Sequence, residues 1–139
     1  MKKLVLLFFT LALLSCSSDD ARQSNQYLPS ISFSVSVNTN LPQYSNLQFA
    51  GNAAYFPNAG VRGIFIINTG SGVLAWEASD PNHEPNDCST MVRDGVEVTC
   101  GCEDTTYNLY NGLAVGEDMQ YALLAYRTSV SGNIITVSN

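Results

Sequence analysis

Basic charge is what this chain has least of. Six lysines and arginines face twelve aspartates and glutamates, and the two lysines, Lys2 and Lys3, stand at the N-terminus. Six minus two leaves four arginines after them, too few for a patch that neutralises phosphates, which speaks against nucleic-acid binding. Lysine-based covalent chemistry drops out of the folded part for the same reason. The single histidine, His83, excludes a zinc helix of the H-E-x-x-H type, and neither G-x-S-x-G nor a P-loop occurs. Amphipathic helical periodicity and internal repeats are missing too. The one long apolar run, residues 4–14, is too short to span a bilayer.

That run has another meaning. Two lysines, an apolar stretch, a small residue and then Cys16 fit an export signal, and L-L-S-C resembles the lipobox of bacterial lipoproteins. The resemblance implies a signal peptide over residues 1–15, lipid attachment at Cys16 and a cell-envelope location on a membrane anchor. Residues 16–30 are polar, without periodicity and carry a proline near their end, so a flexible tether is expected there. Asp19 and Asp20 resemble the surface-export signals of lipoproteins in the Bacteroidetes group, or are simply a solvated linker. Residues 31–139 then suit a single domain.

Within that domain the periodicity is two-fold. Ile31, Phe33, Val35 and Val37 alternate with Ser32, Ser34 and Ser36, the pattern of a half-buried strand. Residues 38–45 read as loop, with Pro42 as marker, and Pro57, Asn58 and Gly60 mark a turn. GIFIIN (63–68) and VLAWEA (73–78) are apolar strands joined by TGSG, a hairpin signal. Residues 121–130 and 134–137 flank SGN as a last hairpin, and their tyrosines, with Tyr107 and Tyr110, read as packing residues. Short strands with glycine-rich turns imply an all-β antiparallel sandwich or barrel.

Chemistry concentrates in residues 76–112, which hold the only histidine and every cysteine except Cys16. Two dense patches, DPNHEPNDC (80–88) and CGCED (100–104), are separated by DGVEV, an Asp-Gly turn signal with alternating valines. Two loops joined by a hairpin resemble the Rieske iron–sulfur domain, whose loops C-x-H-x-x-C and C-P-C-H-G-S hold a 2Fe–2S cluster. In that family one iron is bound by two Cys and the other by two His. Carried over, CGCEDTTYN stands where C-P-C-H-G-S-x-F-D would. Cys100 falls on the ligand cysteine, Cys102 on the disulfide cysteine and Glu103 on the second histidine. In the first loop His83 matches the ligand histidine and Cys88 the disulfide cysteine, with Asp80 or Pro81 where the first ligand cysteine belongs. Tyr107, Asn108 and Gly112 extend the match, while the family's proline before the closing strands is absent from GEDMQYALL.

The resemblance implies a Rieske-like antiparallel fold with two loops tied by a Cys88–Cys102 disulfide, in keeping with an oxidising compartment, and Cys100 left as a free thiol. His83, Cys100, Asp80 and Glu103 are the candidate metal positions. Two of the four carry a carboxylate, a harder donor than such a cluster takes. The first expectation is therefore a cluster-free, lipid-anchored binding or structural module, with no cofactor and no catalytic residue. The alternatives are an electron-transfer module with a 2Fe–2S cluster or a single metal ion, and a thiol-reactive protein using Cys100. His83 is either a ligand or a loop histidine hydrogen-bonded to backbone or carboxylate.

Overall fold

The computed structural model describes residues 24–139, so the signal peptide expected over 1–15, Cys16 and the rest of the chain up to residue 23 lie outside it. Nine strands form two antiparallel sheets among these residues. They are β1 (Ser34–Asn38), β2 (Ala53–Phe56), β3 (Ile64–Asn68), β4 (Val73–Glu77), β5 (Val92–Asp94), β6 (Glu97–Thr99), β7 (Thr106–Asn108), β8 (Ala125–Ser131) and β9 (Ile134–Ser138). The larger sheet runs β1-β9-β8-β4-β3-β2, and the smaller runs β5-β6-β7. No helix among the described residues is long and apolar enough to cross a membrane.

Strand β3 shows why the pattern reads as it does. Its IFII run has no polar alternation because both faces are covered. Phe65 and Ile67 join Trp76, Val98, Tyr107 and Leu109 between the two sheets, whereas Ile64 and Ile66 join Val37, Tyr126, Ile135 and Val137 on the other side. β1, at the edge, buries one face only, so Val37 is buried while Ser34 and Ser36 are exposed. The Asp-Gly hairpin forms as expected: Asp94 pairs with Glu97, and Gly95 takes the positive φ of 60° that the turn requires.

Three boundaries differ from expectation. β1 begins at Ser34 rather than Ile31. The second half of the loop expected over 38–45 belongs to a 3₁₀ helix (Pro42–Gln48) with Pro42 in its first turn, too short to show a helical period. β8 begins at Ala125 rather than at Tyr121, because residues 121–124 bond to loops instead: Tyr121 N–H donates to Asn82 Oδ1 and Leu123 N–H to Gly112 O. The end of the expected tether is also tied down. Leu28 is buried, Asn25 Nδ2 donates to Pro81 O at 2.7 Å, and Tyr27 meets Tyr121 edge to face.

One side chain joins these parts. Glu77, the last residue of β4, is fully buried and accepts from Val61 N (2.7 Å), Arg62 N (2.9 Å), Ser79 N (2.9 Å) and Tyr126 Oη (2.6 Å). A buried carboxylate is tolerated only with such compensation. The turn comes so close that a Cβ at Gly60 would collide with the carboxylate. Glu77→Ala strands three backbone donors and should cost about 3 to 5 kcal/mol. Urea unfolding checks this, and an unchanged midpoint contradicts it.

Candidate functional site

Two loops meet beyond the ends of β4 and β6. The first leaves β4 through the Ser79–Thr90 bridge and is closed by its own polar residues. Asp80 N–H donates to Ser89 O, and Ser89 N–H donates to Asn86 Oδ1. The second leaves β6 at Thr99 and turns tightly, with Cys100 N–H donating to Thr105 O and Asp104 N–H to Cys100 O. Asp104 takes φ 59°, a left-handed conformation that aspartate tolerates better than most side chains. β7 then brings Tyr107 under both loops.

The loops are tied by a Cys88–Cys102 disulfide with a Cα separation of 5.1 Å, and Cys100 is a buried free thiol. This is the pairing that the family resemblance implied. Closing 14 residues of chain is worth about 3 kcal/mol in the chain-entropy description. Gly101 N–H donates to Cys88 O, and Arg62 pairs with the exposed Asp87 at 2.8 Å, a surface contact of little energy.

Beneath the bridge lies a buried polar cluster. Asp80 is 1% exposed, and its Oδ1 accepts from Tyr107 Oη at 2.9 Å and Asn82 N at 2.8 Å. Its Oδ2 has no hydrogen bond of normal geometry, although Asp80 acts on the neighbouring Cys100 thiol. Asn82 Nδ2 donates to Tyr107 Oη (2.9 Å) and Tyr121 O (2.8 Å). Tyr107, read from sequence as packing alone, thus carries a polar role as well, and Asn82 was not singled out. An N-x-x spacing gives no signal of that kind; only the fold brings residues 82, 107 and 121 together.

Of the four candidate metal positions, Asp80 and the Cys100 thiol are brought side by side, but the four do not form one cluster. His83 Nδ1 lies 2.7 Å from Glu84 O and 3.9 Å from Cys102 Sγ. The Cys100 sulfur points to Cys88 O at 3.8 Å, Asp80 is engaged by Tyr107, and Glu103 is exposed. Among the described residues no group of three or more His, Cys, Asp or Glu is placed to hold a metal ion. One thiol, one imidazole and two carboxylates do not fit a 2Fe–2S cluster, which takes thiolate and imidazole.

With this geometry in hand, comparisons place the fold. No protein-family profile matches the chain, and no curated protein does. A chain of the complex of reduced oxygenase and oxidized ferredoxin in carbazole 1,9a-dioxygenase is 17% identical, with TM-score 0.51 over 76% of this chain and 92% of that one. The ferredoxin of carbazole 1,9a-dioxygenase from Nocardioides aromaticivorans IC177 is 19% identical, with TM-score 0.45 over 66% and 90%. The ferredoxin of Sphingomonas yanoikuyae B1 is 12% identical, with TM-score 0.46 over 66% and 88%. The domain has a Rieske-like β fold.

Burial first, then the hydrogen bond and charge of Asp80, push the Cys100 thiol from 9.0 up to about 11, against backbone hydrogen bonds from Cys102 and Glu103. Burial likewise raises Tyr107 above the ordinary tyrosine range. A raised folded value favours the neutral thiol, so its contribution to stability is complete below pH 9 and is lost as pH rises through 11. Iodoacetamide at neutral pH should spare Cys100 in the folded protein and label it in urea, as read by peptide mass. Labelling at equal rates in both states contradicts the buried placement.

Proposed function

We propose that this chain is a lipid-anchored cell-envelope protein whose Rieske-like domain works as a cluster-free binding or structural module. The observation that carries the reading is the state of Asp80. At Asp80 or Pro81, where the family resemblance puts a ligand thiolate, this chain has no thiol, and the Asp80 carboxylate is buried with its Oδ1 held by Tyr107 and Asn82. Oδ1 is thus committed inside the core, and the oxygen without a hydrogen bond, Oδ2, is a buried hard donor where a cluster takes thiolate. Glu103 on the second loop is exposed, another hard donor where an imidazole is expected. The loops need no metal to hold them, since the Cys88–Cys102 bridge and the Asn82 hydrogen bonds already do so.

A second reading, an electron-transfer module, is favoured by the structural likeness to a chain of the carbazole 1,9a-dioxygenase complex. Metal content separates the two. Protein purified from its native host should be colourless, without stoichiometric iron or acid-labile sulfide. Two irons and two sulfides per chain would replace the module with the electron carrier.

The anchor rests on L-L-S-C ahead of a polar stretch. Acyl chains on Cys16 would hold the domain at a membrane surface without any protein insertion. Cys16→Ser should therefore release the protein from the membrane fraction or stall its processing, and unchanged fractionation and processing would remove the anchor from the proposal.

A further inference from the structure

The geometry points to the Cys88–Cys102 bridge as a thiol–disulfide exchange site, open to an exported dithiol reductant at Cys88 and supplied with a hydrogen-bond donor for the leaving sulfur by His83. This goes beyond the module reading and requires that His83 Nδ1 ligate no metal. The two sulfurs are not equivalent. Cys88 is exposed, next to the wholly exposed Asp87, whereas Cys102 is half-buried. Exposed disulfides are the labile ones, in contrast to bridges sealed in a core. Attack is therefore directed at Cys88 Sγ, which leaves Cys102 Sγ as the departing atom.

His83 is placed for that departure. Its Nδ1 lies 2.7 Å from Glu84 O, and a carbonyl oxygen has no proton to give, so Nδ1 carries the hydrogen. Nδ1 lies 3.9 Å from Cys102 Sγ, so its hydrogen, which rests on Glu84 O, can turn to the sulfur on which negative charge develops. Asn86 Oδ1 lies 3.1 Å from Cys88 Sγ and 3.6 Å from Cys102 Sγ, but a disulfide sulfur has no hydrogen, so these are contacts only. Its orientation is set by the bond from Ser89 N–H. Cys100, fully buried, stays outside the exchange.

The chemistry balances with the reductant as co-reactant. A thiolate of the dithiol bonds to Cys88 Sγ, the Cys88–Cys102 bond breaks, and its electron pair goes to Cys102 Sγ, which takes up a proton. The second thiolate of the reagent then attacks the reagent sulfur of the mixed disulfide and releases Cys88, which is protonated. Two electrons and two protons pass to the protein, and the dithiol becomes a disulfide. The product has its two loops untied while the buried Asp80 cluster below remains packed.

Reduced glutathione serves as a monothiol probe that stalls at the first step. Folded protein treated with it, quenched with N-ethylmaleimide and mapped by mass should carry the adduct on Cys88. An adduct on Cys102, or none until the protein unfolds, overturns the assignment. With dithiothreitol as the dithiol probe, His83→Ala should slow reduction of the folded protein about tenfold, the scale of one lost hydrogen bond to a developing charge. His83→Asn, which keeps an N–H at a similar reach, should recover part of the rate. A purely structural histidine predicts the reverse, since a loosened loop would be reduced faster; an unchanged or raised rate in His83→Ala therefore refutes the donor role.

Discussion

Glu77 is the point on which the rest of the architecture hangs. A carboxylate with no exposure is unfavourable unless every lone pair is used, and here two backbone donors of the 60–63 turn, Ser79 N–H and the Tyr126 hydroxyl use them. Those partners come from the turn before β3, from β8 and from the start of the first loop. One side chain at the end of β4 thus sets where the turn closes, how β8 lies beside β4 and the direction in which the loop leaves the sheet. Three residues later Asp80 is held inside the loop through one oxygen, Oδ1, by Tyr107 and Asn82.

That pair of carboxylates explains how the loops hold their positions. The first loop is fixed from below by the Asp80 and Asn82 hydrogen bonds, from the side by Tyr121, and from above by the disulfide. Asn25 adds a bond to Pro81 from the segment that precedes β1. Each hydrogen bond alone is worth about 1 kcal/mol, but they share partners, so they act as one network and not as independent terms. The network is anchored to protein on every side, which is the physical basis for reading the site as self-sufficient.

Chemical asymmetry is the other consequence of this packing. Three cysteines lie within the two loops, yet they occupy three environments: one exposed, one half-buried beside an imidazole and one sealed. The sealed thiol is pushed up by burial and by Asp80, which makes it a poor nucleophile, while the other two sulfurs are bound to each other. Reactivity is thereby confined to the bridge.

Much of this was legible in the chain itself. The serine-alternating run before Asn38, the doubly apolar IFII and the Asp-Gly and SGN turns follow from side-chain period and turn stereochemistry, which are local, so the all-β class and most hairpins can be read without coordinates. The Cys88–Cys102 bridge came from the family resemblance. The 3₁₀ helix at residues 42–48 was not legible because it is too short to show a period, and the late start of β8 because it depends on where neighbouring loops supply hydrogen bonds. The same holds at the site. The family resemblance singled out Asp80, His83, Cys100 and Glu103, but whether they converge is a matter of direction, and direction is set by partners 20 or more residues away, as Tyr107 is from Asp80. Residue types and local pattern determined the class of fold and the inventory of chemistry; only tertiary packing decided that a carboxylate is locked, a thiol is sealed and an imidazole faces a disulfide, since burial and long-range hydrogen bonds have no local signature.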